Sequence, residues 1–295
     1  MIKADRIKGG IFGHLIGDAL GVPYEFMMRG FFNCTDMVGE GTHGQPAGTY
    51  SDDGAMMLCT IDSMVSKGKV NVKDIQSKFV QWRNNNLWTP HGEVFDIGNT
   101  TSVAIDNGFG GSSVSDNGNG SLMRILPLVW TDADYVTIGE ISAITHAHER
   151  SILCCNYYIE FARLLTEGKT KFTAKKNTDY SMFCLHHTSE TELLAQRLGD
   201  LIISNRDIKE IKSTGYVVDT LEAAIWCFMT TDNYKDCVLK AVNLGDDTDT
   251  IAAVAGGLAG TYYGYNNIPQ EWINQLARKE EIELLVNQFI SVYED

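Results

Sequence analysis

Residues 9–26 of this chain read GGIFGHLIGDALGVPYEF, and within them Gly9, Gly13, Gly17 and Gly21 recur at every fourth position. Residues four apart lie on one face of an α-helix, so the spacing predicts a helix with a stripe of glycine along one side. Each glycine inside a helix lowers its stability by roughly 1 kcal/mol relative to alanine. Such a stripe therefore indicates that a neighbouring backbone or a ligand approaches closely, and tight packing of two helices is the simpler explanation.

Apolar residues at helical spacing recur through the rest of the chain, whereas convincing period-two segments bounded by turns are absent. Loops rich in Gly, Asn and Asp at 39–50 and 107–120 separate the helical segments, and long ordered loops are often functional. The pattern predicts an all-α fold with its chemistry on loops at helix starts. The further helices expected are 52–67, 72–84, 141–167, 190–203, 220–229, 234–242, 250–263 and, as one or two helices, 270–293.

The composition predicts one compact domain spanning residues 1–295. Hydrophobic residues make up 44% and charged residues 21% of the chain, which is ordinary for a globular protein with a large core. Proline occurs only 5 times, and there is no Pro/Ser-rich linker, low-complexity tract or convincing repeat. We expect a monomer.

Charge and hydropathy narrow the class of partner. The net charge of -14 would repel a polyanion, which argues against general nucleic-acid binding but suits divalent cations. Neither a signal-peptide-like start nor a run of ~18 apolar residues is present, so no membrane association is expected. The 7 cysteines are scattered without a CxxC pair, which indicates reduced, buried thiols in a cytoplasmic protein and not a disulfide framework or a zinc site.

Two acidic clusters precede predicted helices: Ser51-Asp52-Asp53 and Asp247-Thr248-Asp249-Thr250. Acidic and hydroxyl residues at helix starts commonly cap free amides and complement the helix dipole. However, carboxylates this close repel one another unless something neutralises them, and such oxygens are the ligands that Mg²⁺ and Mn²⁺ prefer. If the clusters converge, their four carboxylates can hold two ions around a bridging water. From the residues alone, both interpretations stay open.

Seven segments, in order along nearly the whole chain, resemble the ADP-ribosylglycohydrolase family, which includes the dinitrogenase-reductase-activating glycohydrolases. They are GHLIGDALGVPYEF at 13–26, GTYSDD at 48–53, DIGNTT at 96–101, NGSLMR at 119–124, TH at 145–146, GYVVDTLEAA at 215–224 and NLGDDTDTIA at 243–252. The resemblance implies a compact all-helical fold with a two-metal Mg²⁺ or Mn²⁺ site at helix N-termini. It also implies hydrolysis of the bond between the anomeric carbon of ADP-ribose and an acceptor side chain.

The resemblance also implies roles for individual residues. Asp96 would be the acid/base group near the scissile bond, although its local sequence is equally typical of an ordinary turn aspartate. Glu25 would position water or gate the site, although it could be a capping acid. The metal ligands would be Ser51, Asp52, Asp53, Asp247, Asp249 and Thr250. The substrate-binding residues would be Gly118, Asn119, Gly120, Ser121, His146 and Tyr216.

Some of these substrate-binding residues also have a simpler structural interpretation. The glycines around Asn119 can expose amides to a pyrophosphate or simply form a flexible turn, and Tyr216 can contact the ligand or merely pack. Arg124 is expected to brace the site. His148 shares an apolar helical stripe and is expected in the core, and His186-His187 at the surface.

Three positions depart from the family pattern. Ser51 stands where threonine is commoner and keeps the hydroxyl oxygen. Gly54 replaces a hydroxyl residue after the acidic pair, which could loosen the helix start. Asp246 stands where a second glycine is common and adds charge beside the expected ions. None of these changes removes an oxygen ligand.

The expected reaction is release of ADP-ribose from a modified protein, with arginine as the acceptor. The same chemistry on serine-linked ADP-ribose, or on a small ADP-ribosylated molecule, is the first alternative. Loops 29–49 and 169–191 would decide between them. A non-catalytic, crystallin-like relative is the second alternative, but its signature would be lost metal ligands, and all six positions here retain an oxygen.

Overall fold

The computed structural model describes residues 2–184 and 188–294, so the predicted surface pair His186-His187 lies outside the described residues. The described part is all-α, with isolated β-bridges but no β-strand. Its α-helices are α1 Lys3–Gly21, α2 Asp52–Lys67, α3 Val72–Asn85, α4 Asn99–Asn107, α5 Tyr135–Ala143, α6 Glu149–Thr166, α7 Lys171–Cys184, α8 Ser189–Leu198, α9 Val217–Met229, α10 Tyr234–Val242, α11 Thr248–Tyr263, α12 Gln270–Gln275 and α13 Lys279–Tyr293.

The centre of the fold is the contact between α1 and α11, which lie backbone against backbone. A Cβ added to Gly17 would stand 2.1 Å from the carbonyl oxygen of Ala252, and one added to Gly21 would stand 2.3 Å from Cα of Asp249. No side chain fits in such a space, so the glycine stripe is explained by helix packing, the simpler of the two explanations. The same contact sets Asp249 against the end of α1.

Most of the predicted helices form close to their expected limits. Helices α2 and α10 have the predicted boundaries, and α3 and α11 differ from them by two residues or fewer. The residues behind both acidic clusters are therefore helical, with Ser51 and Asp247 at the two N-cap positions.

The predicted helix 141–167 is wrong, because the chain breaks between α5 and α6. The amide of Gly111 donates to the carbonyl of Thr145 at 3.0 Å, and the amide of Ala147 donates to the carbonyl of Gly111 at 2.7 Å. These groups are thus withdrawn from a helical ladder. His148, expected in the core, is half-buried and caps α6, since its Nδ1 accepts from the amide of Arg150 at 3.2 Å.

Helix α7 lies where the sequence indicated only a loop. Its composition is polar, but Lys175 is buried, and its Nζ donates to the carboxylate of Asp179 at 2.6 Å and to the carbonyl of Leu198 at 2.5 Å. Tertiary contacts of this kind stabilise a helix that its local sequence favours weakly.

Two further features concern the helices and the cysteines of the described residues. No helix among them has both the length and the apolar character to cross a bilayer. Six of the cysteines are buried with free thiols: Cys34, Cys59, Cys154, Cys155, Cys227 and Cys237.

Candidate active site

A cavity of about 260 Å³ opens at the N-terminal ends of α2 and α11. Most of the predicted site residues line it: Glu25, Asp52, Asp53, Asp96, Gly118, Asn119, Gly120, His146, Asp247 and Thr250. The other predicted residues are not part of its wall: Ser51, Ser121, Tyr216 and Asp249. The two acidic clusters therefore converge, as the two-metal hypothesis requires.

At the start of α2, the first cluster is held by Asp18 of α1. The Asp18 carboxylate accepts from the amide of Ser51 at 2.9 Å and from the amide of Gly54 at 2.8 Å. A Cβ on Gly54 would lie 2.7 Å from Cδ2 of Leu15, 2.9 Å from Cδ2 of Tyr50 and 3.0 Å from this carboxylate, so the crowded position favours glycine. Asp18 was missed from sequence, although an aspartate in an apolar, glycine-striped helix was a signal.

The hydroxyls of both clusters meet at one carboxylate. Ser51 Oγ donates to Asp53 Oδ2 at 3.3 Å, and Thr250 Oγ1, from the second cluster, donates to the same oxygen at 3.2 Å. Asp247, at the N-cap position of α11, uses its carboxylate elsewhere, since Oδ2 accepts from Asn119 Nδ2 at 2.6 Å. A hydrogen bond from the Thr250 hydroxyl therefore joins the two clusters, and a hydrogen bond from the Asn119 side-chain amide joins Asp247 to the 107–120 loop.

The donor set fits hard divalent cations. Asp53 Oδ1 and Asp249 Oδ2 are buried without a hydrogen-bond partner, and such orphaned oxygens are costly unless something compensates them. Burial, followed by repulsion from neighbouring carboxylates, raises the pKa of Asp52, Asp53 and Asp249 well above its usual value. Carboxylate oxygens of Glu25, Asp247 and Asp249 lie within 4.8 Å of one another. A cation among these groups would supply the missing positive charge.

Glu25 and Asp96 bring a third residue, His43, into the site. Glu25 is only 5% exposed, and burial, together with repulsion from Asp96, raises its pKa to about 10. Its Oε2 lies 2.5 Å from Nε2 of His43. Ligand atoms of Glu25, His43 and Asp96 all lie within 4.8 Å of one another. His43 was missed, although a lone histidine in the functional 39–50 loop could have been noted.

Asp96 has an uncommon backbone conformation. Its φ is 45°, in the left-handed region that non-glycine residues adopt seldom. Burial raises the pKa of Asp96. A carboxyl group that holds its proton more tightly than usual is suited to acid catalysis.

The segment around Asn119 is more ordered than a flexible turn. The amide of Asn119 donates to the carbonyl of Gly215 at 3.0 Å, so it is not available to a pyrophosphate. Arg124, fully buried, donates to the carbonyl of Gly120 at 2.9 Å. Ser121 points away from the cavity, where its Oγ accepts from Ser142 Oγ at 2.9 Å. Only the two glycines and the Asn119 side chain are therefore presented to a ligand.

His146 forms the wall behind Gly120. Its Nδ1 lies 2.7 Å from Thr145 Oγ1, and burial lowers its pKa to about 3, so the ring is neutral at physiological pH. A Cβ on Gly120 would stand 2.8 Å from the His146 ring, which explains glycine there.

Tyr216 lies beside the cavity and is held by a cation. Its hydroxyl accepts from Arg150 at 3.0 Å, and Arg150 also binds the Glu190 carboxylate through two nitrogens at 2.6 and 2.9 Å. The ring is half-buried at the start of α9. The tyrosine is thus fixed in place, one residue from the cavity wall at Gly215.

Comparison with known proteins identifies the family of the chain. The family model described as ADP-ribosylglycohydrolase matches residues 1–295. The chain is 34% identical over 302 residues to ADP-ribosylarginine hydrolase Tri1 of Serratia proteamaculans (strain 568), covering 96% of this chain and 78% of that protein. It is 29% identical over 308 residues to ADP-ribosyl-[dinitrogen reductase] glycohydrolase of Rhodospirillum rubrum, covering 95% and 93%.

A solved structure shows the same fold along the whole chain. It is described as an ADP-ribosylglycohydrolase-related protein complex, with a TM-score of 0.83, 26% sequence identity and coverage of 99% of both chains. The resemblance inferred from seven ordered segments and the predicted all-α fold are both confirmed. The chain belongs to the ADP-ribosylglycohydrolase family, whose named members are hydrolases acting on glycosyl bonds.

Proposed function

We propose that this protein is a metal-dependent hydrolase that releases ADP-ribose from the arginine side chains of modified proteins. The observation that carries the proposal is the convergence of the two acidic clusters, joined where Thr250 Oγ1 donates to Asp53 Oδ2 at 3.2 Å. Buried, unpartnered carboxylate oxygens beside this bond support a charged ligand at the same place. All six positions keep an oxygen donor, which argues against a non-catalytic relative.

The ions would be Mg²⁺ or Mn²⁺, held by Ser51, Asp52, Asp53, Asp247, Asp249 and Thr250. When bound, such ions polarise sugar hydroxyls and activate water as a nucleophile. The Asn119 side chain orients the Asp247 carboxylate through its 2.6 Å hydrogen bond, and Asp18 fixes the helix start that carries Asp52 and Asp53. These are positioning roles, because such supports keep ligands in a productive geometry.

The proton and charge chemistry falls to Asp96, Glu25 and the carboxylates around them. Asp96, whose pKa is raised by burial, donates its proton to the leaving guanidine nitrogen as the bond to the anomeric carbon breaks. The neighbouring carboxylates stabilise the positive charge that develops on the sugar. Glu25, held by its hydrogen bond to His43, shapes the approach of water. The neutral His146 and the two glycines accommodate the ribose and phosphates.

Arginine as the acceptor is supported by the similar proteins, among which two are named ADP-ribosylarginine hydrolases, from Serratia proteamaculans (strain 568) and Pseudomonas putida (strain GB-1). We place the reaction in the cytoplasm on a single-domain monomer. The buried cysteines without disulfides support a reducing compartment.

The test is incubation with peptides carrying ADP-ribosyl-arginine or ADP-ribosyl-serine, with Mn²⁺, with Mg²⁺ and with a chelator. We expect chromatography to show free ADP-ribose from the arginine peptide only when a metal is present. Asp247→Asn/Asp249→Asn, purified in parallel, controls for a contaminating hydrolase. Release from the serine peptide alone would overturn the acceptor assignment, full activity with chelator would overturn metal dependence, and no release at all would overturn catalysis.

A further inference from the structure

Three aromatic side chains lie in a row beside the cavity, and we call them the aromatic rim: Phe26, His43 and Phe95. The ring centroids of Phe26 and His43 are 6.0 Å apart, and those of His43 and Phe95 are 5.4 Å apart. The central ring is fixed by its hydrogen bond to the Glu25 carboxylate. Phe26 lines the cavity itself.

Phe26 is exposed and has a strained backbone, both of which are unusual for phenylalanine. Its ring is 64% exposed, so folding gains little from burying it, and its φ of 64° is an outlier for a bulky residue. Two backbone bonds maintain this conformation: the Phe26 amide donates to the carbonyl of Asp246 at 2.7 Å, and the Asp246 amide donates to the carbonyl of Met27 at 2.8 Å. A strained, exposed ring at the mouth of an active site points to a role in binding.

The aromatic rim is also placed where the acceptor must lie. Phe26 directly follows Glu25, and Phe95 directly precedes Asp96, so the rim lies beside these two carboxyl groups, whose ligand atoms lie within 4.8 Å of a ring nitrogen of His43. On the proposed function, the ADP-ribose moiety would occupy the cavity beside the clusters and the Asn119 segment. A leaving group protonated by Asp96 would then lie close to His43, the central ring of the rim, because a ring nitrogen of His43 is within 4.8 Å of an Asp96 oxygen.

We infer that the aromatic rim recognises the guanidinium group of the acceptor arginine, an inference that rests on the proposed function. A guanidinium substituted by ADP-ribose keeps its planar, positively charged form, and such cations bind over aromatic faces. A serine acceptor carries neither the plane nor the charge. The rim is accordingly the element that selects arginine-linked over serine-linked substrate.

Kinetics with the substrate and binding of the product separate this role from a structural one. For Phe26→Ala and Phe95→Ala we expect KM for ADP-ribosyl-arginine peptide to rise roughly two- to fivefold each, with kcat little changed. The inhibition constant of free ADP-ribose should stay as in the wild type, because the product lacks the acceptor. Phe26→Tyr keeps an aromatic face and should restore the wild-type KM, whereas Phe26→Leu should not.

Met28→Ala is the matched control, since Met28 is 65% exposed nearby but does not line the cavity. Its KM should equal that of the wild type, and circular dichroism should show every variant folded. An unchanged KM in Phe26→Ala and Phe95→Ala, or an equal loss of ADP-ribose affinity, would overturn the inference. Failure of the wild type to release ADP-ribose from arginine peptides would instead refute the proposed function, so the two failures are distinguishable.

Discussion

Asp18 Oδ2 lies 2.8 Å from the amide nitrogen of Gly54, so a carboxylate from α1 caps the first turn of α2. In Asp18→Asn, a side-chain NH₂ group replaces one of the two carboxylate oxygens and cannot accept a hydrogen bond. One buried backbone N–H would therefore lose its acceptor. We expect the free energy of unfolding to fall by about 1–3 kcal/mol, measured by urea denaturation with chelator present. Asp5→Asn, on a more exposed part of α1, should change it by less than ~0.5 kcal/mol. Equal stability of the two variants would contradict this capping role.

Removing two of the proposed ligands should abolish metal binding. In Asp247→Asn/Asp249→Asn we expect affinity for Mg²⁺ and Mn²⁺, measured by calorimetry, to fall by on the order of 100-fold or more, because even supporting residues contribute that much. Asp246→Asn is the matched control, since Asp246 is the exposed neighbour and asparagine tolerates its φ of 66°. Unchanged affinity in the double variant would exclude these aspartates as ligands.

Asp96→Asn tests the acid/base assignment. We expect kcat on ADP-ribosyl-arginine to fall by about 10²–10⁴, the usual contribution of a general acid, while the affinity for ADP-ribose stays within a few-fold. Asp106→Asn serves as the control, because its carboxylate is exposed and pairs with Arg83. A kcat within tenfold of the wild type would assign the proton transfer to another group.

The buried imidazole of His14 makes stability depend on pH. Neither ring nitrogen makes a hydrogen bond of normal length and angle, and burial lowers its pKa from about 6.5 to about 3 although the backbone at Asp53 and Ala253 acts in the opposite direction. Between these values the unfolded chain binds a proton that the folded chain does not, so stability falls as the pH falls below about 6.5. The loss is about 2 kcal/mol at pH 5.

Leucine has a similar volume and no proton to bind. We therefore expect His14→Leu to lose about 2 kcal/mol less than the wild type between pH 7 and pH 5 in urea denaturation. His91→Leu, which replaces an exposed histidine, is the control. Identical pH dependence in His14→Leu and the wild type would show that His14 does not contribute it.

Gly17→Ala tests the contact between α1 and α11. Alanine raises helix propensity by roughly 1 kcal/mol, but its Cβ would stand 2.1 Å from the carbonyl oxygen of Ala252. We expect a net loss of more than ~3 kcal/mol or failure to fold, measured by thermal unfolding. In Gly139→Ala, the new Cβ would meet a flexible Ile152 side chain at 3.1 Å, and the change should be much smaller. Wild-type stability of Gly17→Ala would refute the close approach.

The parts of the fold that could be predicted are those set by local chemistry. The boundaries of α2 follow from a capping serine before a run of apolar residues at helical spacing. The glycine stripe of α1 predicts that another backbone packs closely against it, although it does not say which one. Convergence of the clusters needed the ordered family motifs, because Ser51-Asp52-Asp53 alone resembles an ordinary helix cap.

The parts that could not be predicted depend on distant partners. The break before α6 arises from the pairing of Gly111 with the 145–147 segment, and α7 depends on a buried Lys175 that reaches Leu198. Asp18 and His43 were missed for the same reason. Each acts through a contact with a residue far along the chain, and a single sequence does not reveal which residues those are.

The bond from Thr248 Oγ1 to the carbonyl of Gly21 joins residues 227 apart, across the contact of α1 with α11. At roughly 5–20 residues per second, a ribosome takes about 10–45 s to add that length of chain. Through that interval the apolar first helix has been made but its partner has not, and the first acidic cluster lacks the second. The first helix therefore waits longest for its packing partner during synthesis, and truncation before α11 would leave both the core and the catalytic site unassembled.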